Sequence, residues 1–549
     1  TRGGIEMNKV SKAIAQSRML ILVIAFLLLI PSVLGYLKTD VNYDILGYLP
    51  DELDTRIAQS ILKDDFDCGS LGMLIVENME NKDVSKLKEE VKKVEGVNDV
   101  IWIDDAIDLS VPKEILPEDI RDIFYSENST LMIIKFAGTD ASTETEKALS
   151  DVRKIAVKQA FLSGVAGVIK DTKDLANKET PIYVLIAVIL SIIILSITME
   201  SYVIPIVFLS SIGIAIIYNM GSNVIFENIS YVTKALSAVL QLGVTMDYSI
   251  FLLHRYDEER ESRENKVEAM ANAIEATIES VVGSALTTVA GFLALCVMDL
   301  ALGKDIGLVM AKGVVIGVIC TITILPALVL TFDKVIHKYK HKNILPTFQK
   351  SSSFIIKHHK VIVLISLLIL IPAAIGKEKA SVYYNLDESL PDNLPSIVAN
   401  DKLKNEFNMV STNIILVRDD LDRYKVKEMV KELNNVDGVT MAAALESVLG
   451  SRIPENFLPN ELLEQVKKGG YEGIIVNSKY KSATNEVAVQ LDEINEIVKK
   501  YDPEGLVGGE APLTNDLVTI ADSDFKKVSI FSIVAIFLII MVIFKSISV

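Results

Sequence analysis

The chain has 549 residues, half of them hydrophobic, with a mean hydropathy of +0.37 and a formal charge of −17. A soluble chain of this length needs a charged surface and rarely reaches that hydropathy, yet 55 basic and 72 acidic residues exclude a chain built only of membrane helices. The acidic balance also excludes nucleic acid as a partner, because phosphate binding needs a basic footprint.

Thr1 to Glu6 precede Met7, read as an upstream extension or vector remnant, and are left out of the fold argument. A helix crosses the hydrocarbon core of a bilayer with roughly 20 apolar residues. Eight stretches reach or approach that length, at 19–37, 181–198, 202–219, 233–253, 281–300, 306–330, 360–376 and 527–545. The first has basic flanks (Lys9, Lys12, Arg18), but its apolar run is too long for a signal peptide and no small-residue cleavage site follows. Residues 7–37 are therefore read as an uncleaved first span, 181–330 as spans two to six, 360–376 as the seventh and 527–549 as the eighth.

Two long charged segments lie between these spans, at 38–180 and 377–526. The first holds 18 basic against 30 acidic residues. Within it, 71–76, 84–94 and 97–103 read strand, helix, strand, and 130–136, 143–159 and 161–168 repeat the order. The second segment reads the same way at 413–417, 424–433 and 439–444. A compact α+β fold of ferredoxin-like type is expected for each.

Orientation is read from the basic residues of the short loops. His254, Arg255, Arg260, Arg263 and Lys266 follow the fourth span; Lys334, Lys338, Lys340, Lys342, Lys350 and Lys357 follow the sixth, in a linker at 331–359, with Lys360 directly after it. The loop between the third and fourth spans has none. An N-terminus in the cytoplasm puts both basic loops inside and both charged domains outside the cell membrane, with Lys304 alone on the wrong side.

The chain also repeats itself. Leu49-Pro50-Asp51 recurs as Leu390-Pro391-Asp392 at an offset of 341, while Val94-Glu95-Gly96-Val97 recurs as Val436-Asp437-Gly438-Val439 and Leu116-Pro117 as Leu458-Pro459 at 342. A period this long indicates duplicated halves, a transporter architecture. Five spans follow the first domain and one follows the second, so a second half cut short after its first span is expected. A shortened gene product, or a natural fragment completed by a separate subunit, would explain it.

Asp247 is the carboxylate that lies well inside a membrane run, about 12 residues or roughly 18 Å along the fourth span. An ionised carboxylate near a helix centre costs about 2.5–3.5 kcal/mol on insertion scales, so it is protonated, paired or turned to water. A hydrogen bond that only orders the bundle is the plainer reading; an intramembrane ionisable residue is nevertheless functional by default. Gly243, one turn earlier, leaves room for a neighbouring helix, and Tyr248 can donate to a partner carboxylate. This grouping suits a proton-binding site.

Gly243-Val244-Thr245-Met246-Asp247-Tyr248, then Phe251-Leu252-Leu253 and Arg255-Tyr256-x-Glu258-Glu259, resembles the fourth-span signature of the MMPL family in the RND superfamily. Ser284-Ala285-Leu286-Thr287-Thr288, Asp305-Ile306-Gly307 and Leu325-Pro326-Ala327 agree with the next two spans. The resemblance covers essentially the whole chain. It implies an α-helical RND bundle of duplicated halves with two extracytoplasmic ferredoxin-like porter domains. It implies a proton relay at Asp247 and Tyr248, with Gly243, Ser284 and Thr288 in supporting positions. It further implies export of lipids or other amphiphilic molecules driven by protons, with Asp247 facing a second such pair in a complete bundle.

Other features take plainer readings. Gly303-xxx-Gly307 and Gly313-xxx-Gly317 read as packing surfaces, and Lys234 as a snorkelling lysine. His337 and His341 lack the further ligands of a metal site; no metal or cofactor is expected. Without a phosphate-binding loop ATP is not the expected energy source, and no enzymatic motif is present. A sterol-sensing receptor and a SecD/SecF-like export accessory are the alternatives. Tyr248 directly after the aspartate favours the MMPL resemblance over the latter. The partners expected are lipid, protons, the bilayer, and either further copies of the chain or a second-half subunit.

Overall fold

The computed structural model describes residues 2–544 apart from 106, 110, 116–117, 157–158, 227, 342–348, 380–389 and 446–465. The Leu116-Pro117 and Leu458-Pro459 repeat and part of the basic linker lie outside the described residues. The chain starts with α1 (Arg2–Gln16), α2 (Arg18–Lys38) and the short strand β1 (Asp40–Asn42), followed by α3 (Asp54–Asp64).

The first domain runs β2 (Ser70–Glu77), α4 (Asn81–Val91), β3 (Val97–Ile101), α5 (Glu118–Phe124), β4 (Ser129–Phe136), α6 (Thr143–Ile155) and β5 (Ala160–Ser163). Its antiparallel sheet has the order β3-β4-β2-β5. Alternate residues of β2 and β4 point to one face, where Leu74, Val76, Ile134 and Phe136 meet Val84, Val91, Leu149 and Trp102 in one apolar core.

Five long helices follow: α7 (Val165–Thr198), α8 (Ile204–Gly221), α9 (Tyr231–Ser262), α10 (Lys266–Ala294) and α11 (Ala301–Lys338), with β6 (Asn228–Ser230) before α9 pairing in parallel with β1. Then come α12 (Gln349–Lys357), α13 (His359–Lys379) and α14 (Pro395–Phe407). The second domain runs β7 (Ser411–Arg418), α15 (Arg423–Leu433), β8 (Val439–Ala443), β9 (Lys467–Lys468), β10 (Tyr471–Ser478), α16 (Asn485–Tyr501) and β11 (Leu506–Gly509), and α17 (Glu510–Phe544) follows it. Its sheet order, β11-β7-β10-β8, matches that of the first domain strand for strand.

Among the described residues eight helices are long and apolar enough to cross a membrane: α2, α7 to α11, α13 and α17. Most extend beyond the apolar stretches, although α8 starts two residues late, at Ile204, and α10 ends at Ala294, six residues short of the expected 281–300. α7 and α17 begin directly after the last strand of each domain and continue as single helices into a span. Lys304, expected in a turn, lies inside α11.

α11 is the centre of the bundle, packed among α8, α9 and α10. Glycines make this possible: a Cβ on Gly313 would lie 2.5 Å from Asn219 Nδ2, and one on Gly317 would lie 2.6 Å from Thr245 Oγ1. α9 and α11 run in step, with Thr233 beside Asp305, Gln241 beside Gly313, Thr245 beside Gly317 and Ser249 beside Thr321.

The two domains exchange helices. α3 precedes the first domain yet lies on β11 of the second, where Gly508 admits Ala58. Reciprocally, α14 precedes the second domain and lies on β5 of the first. Asp171 fastens this junction: it accepts from Arg153 Nη1 (2.6 Å) and Nη2 (3.1 Å) and from Ser396 N (2.8 Å) at the start of α14.

Candidate functional site

The buried face of α9 is polar at every fourth position (Thr233, Ser237, Gln241, Thr245, Ser249) and rests on α8 and α11. Side chains four apart share a face of a helix, and a second such series, Gly243, Asp247 and Phe251, is exposed on α9. Apart from the backbone of its own helix, no atom lies within 4 Å of where a Gly243 Cβ would be. Ser284 on α10 is exposed as well. Among the described residues none hydrogen-bonds or ion-pairs with the Asp247 carboxylate. The expected proton-binding residue therefore stands on an uncovered side of the bundle.

Tyr248 follows Asp247 by one residue and so points about 100° round the helix. It is 3% exposed, packed among Val281, Ala285, Val314 and Val318. Its hydroxyl lies 3.2 Å from Thr288 Oγ1, and Thr288 Oγ1 in turn donates to Ser284 O at 3.1 Å. The one hydroxyl hydrogen of threonine is used on that carbonyl, so Tyr248 is the donor to Thr288. The structure thus joins Tyr248, Thr288 and the Ser284 backbone. Asp247 and the Ser284 side chain are outside this chain of bonds, and the phenol is not turned towards the carboxylate.

Of two charged residues of α11, Asp305 was named from the sequence only as part of a motif, without a role, and Lys312 was passed over. Asp305 accepts from Ser230 N (2.8 Å) and Thr233 Oγ1 (2.5 Å), which ties the start of α11 to that of α9. Lys312 donates to Asn219 O (3.0 Å), Ser222 Oγ (2.8 Å) and Asn223 Oδ1 (2.5 Å) at the C-terminal end of α8. A cation suits the negative end of a helix dipole. The signal was in the sequence: polar residues at four-residue spacing along α9, with Lys312 breaking the apolar run of α11.

Outside the spans, the two domains border a cavity of about 710 Å³, between Lys113, Glu114 and residues 121–127 of the first and the end of α14 with β8 and β10 of the second. In the first domain burial pushes the Asp140 carboxyl up to about 7, although Ser70 Oγ donates to it. His337 Nδ1 lies 2.9 Å from the Asp333 carbonyl oxygen, one turn back on the same helix. Among the described residues no group of three or more His, Cys, Asp or Glu could hold a metal.

The MMPL family model matches residues 68–353 and 390–549. A protein of Methanocaldococcus jannaschii, named only as a membrane protein, is 27% identical over 276 residues, 46% of this chain and 71% of its own length. MmpL12 of Mycobacterium tuberculosis, named as a probable transport protein, is 22% identical over 440 residues, 75% of this chain and 36% of its own. MmpL8 of the same species, named as a sulfolipid-1 exporter, is 22% identical over 415 residues, 69% of this chain and again 36% of its own. The chain thus spans about a third of the length of these mycobacterial relatives.

Proposed function

The chain belongs to the MMPL family of multi-pass membrane proteins, and from that premise we propose that it is a secondary transporter exporting lipids or similar amphiphiles with protons as the driving ion. One observation carries the reading: a carboxylate in the middle of a span, with no bonded partner among the described residues and on an open helix face, next to a buried phenol already bonded to a neighbouring span. Asp247 takes up and releases the proton. Tyr248, Thr288 and Ser284 hold α9 against α10 as that charge changes, and Gly243 keeps the face flat for a facing helix.

A charge on an open face is costly in lipid. The face around Asp247 and Gly243 is therefore covered in the working protein by a second set of helices, from a further part of the same protein, a second subunit or another copy. One charge crossing the full potential yields about 2.3 kcal/mol per 100 mV, so several protons accompany each cycle.

The two sheets are read as ferredoxin-like porter domains outside the cell, and α7 and α17 as the levers that pass movement between them and the spans. The N-terminus and the basic loops lie in the cytoplasm. Reconstituting the protein in liposomes and following export of lipid co-purified with it tests the function. Export that proceeds equally with and without a pH gradient would remove the proposed coupling.

A further inference from the structure

The exchanged helices end alike in the two halves. α3 leads into Phe66-Asp67-Cys68 and α14 into Phe407-Asn408-Met409, and Asp67 and Asn408 share the left-handed backbone (φ 50° and 52°). What faces these two ends differs. Opposite α3 the junction is closed: Lys468 on β9 pairs with the Asp67 carboxylate, Asn98 Nδ2 donates to Asp67 O (2.8 Å), and Gly469 lies against Asp65.

The counterpart of β9 in the first domain is the bridge of Tyr125 to Thr130, which matches the pairing of Lys467 with Glu472 at an offset of 342. Ser126 therefore stands where Lys468 stands in the other half, and Asn408 where Asp67 does. A serine and an amide replace a lysine and a carboxylate, and both line the 710 Å³ cavity. The lysine–carboxylate pair that closes one junction has no counterpart in the other, where the cavity lies.

We propose that this cavity binds the head of an alkylammonium amphiphile, its cation and first methylenes taking the place of the Lys468 side chain. The lining suits that chemistry. Arg121 is tied to Asp122 at 3.0 Å and Glu406 to Lys402 at 3.8 Å, which leaves Glu114 and Glu127 to outweigh Lys113. Tyr125 and Phe407 add aromatic surface, and cations are attracted to aromatic faces. The assignment deepens the transport reading, and rests on it only in calling the ligand a substrate.

Trp102, the one tryptophan of the chain, gives a native probe. Its Nε1 donates to Thr130 Oγ1 (2.7 Å), which donates to Phe124 O (2.7 Å), next to Tyr125. The protein in nanodiscs is titrated with octylammonium and with octyl sulfate while Trp102 fluorescence is followed. A saturable change with octylammonium is expected, at least ten times weaker in Glu114→Gln/Glu127→Gln. It is abolished in Ser126→Lys/Asn408→Asp, which installs the ion pair of the other half, and kept in Ser126→Ala, with equal melting temperatures confirming the fold.

Equal affinity for octyl sulfate, or wild-type octylammonium binding by Ser126→Lys/Asn408→Asp, would overturn the assignment. Octylammonium binding by a protein that exports no lipid would overturn the transport reading and leave the cavity assignment standing. Undiminished export by Ser126→Lys/Asn408→Asp that no longer binds octylammonium would overturn the cavity as the substrate's site.

Discussion

Tyr248 donates to Thr288 across the α9–α10 interface at 3.2 Å, while Asp247, one residue earlier, faces away from that bond. The pair thus divides into a fixed phenol and a free carboxylate. Tyr248→Phe removes a partly buried hydrogen bond and should cost about 0.5–1.5 kcal/mol of stability. Export should fall but persist, since Thr288 keeps its bond to Ser284 O. Thermal unfolding beside a flux assay checks both, and a Tyr248→Phe protein as inactive as one without Asp247 would make the phenol part of the proton path itself.

Gly243 and Gly317 should respond in opposite ways to alanine. At Gly317 the new methyl would lie 2.6 Å from Thr245 Oγ1, so Gly317→Ala should cost about 1–3 kcal/mol as overpacking. At Gly243 it meets open space, and Gly243→Ala should be neutral or stabilise by up to about 1 kcal/mol in this chain. If a facing helix bundle covers Gly243, export should fall despite that stability. Full export by Gly243→Ala would argue that the face needs no close neighbour.

How much of this could be read in the residues differs between fold and site. The strand–helix–strand order was readable because a period of two and a period of 3.6 are local properties, and each expected element overlaps an observed one, although the strand expected over 161–168 ends at Ser163 and its last residues open α7. The exchange of α3 and α14 was not: a helix pattern shows which face is apolar but not which sheet covers it. Asp247 stood out as a charge in an apolar run. Its exposure did not, because residues on an open face and on a buried one look alike in a membrane span. Lys312 was passed over since its partners are carbonyl, hydroxyl and amide oxygens on a different helix, which no charge pattern displays.

Asp171 is buried with Arg153 and caps Ser396 of the exchanged helix. Removing one member of such a pair leaves an uncompensated charge, and Asp171→Ala should cost about 3–5 kcal/mol. The junction of α14 with the first domain should open first, seen as faster hydrogen exchange in 395–407 than in the core strands β2 and β4. Unchanged exchange there would show that apolar contacts alone hold the exchanged helix.

Asp140 should make stability fall as the pH rises. Its folded pKa of about 7 lies above the unfolded value of 3.8, so the folded state holds the proton more tightly. The stabilising effect is complete below about pH 4 and is lost as the pH rises to 7. Asp140→Asn should remove this slope and raise the melting temperature at pH 8 relative to the wild type. An unaltered slope in Asp140→Asn would assign the pH dependence to other groups.

Sidedness is tested with single cysteines at Glu80 and Lys340, in a background lacking Cys68, which is buried in the first domain. An impermeant maleimide added to whole cells should label Glu80→Cys and spare Lys340→Cys. The reverse pattern would invert the proposed orientation.

The central claim is that Asp247 carries the proton, and Asp247→Asn tests it most directly. The carboxylate has no bonded partner among the described residues, so the substitution should alter stability by no more than about 0.5 kcal/mol and leave insertion intact. In liposomes with an imposed pH gradient, wild-type protein supplied with its lipid should dissipate the gradient and move lipid together. Asp247→Asn at equal density is predicted to do neither. Substrate-dependent proton flux at the wild-type rate in Asp247→Asn would contradict the account.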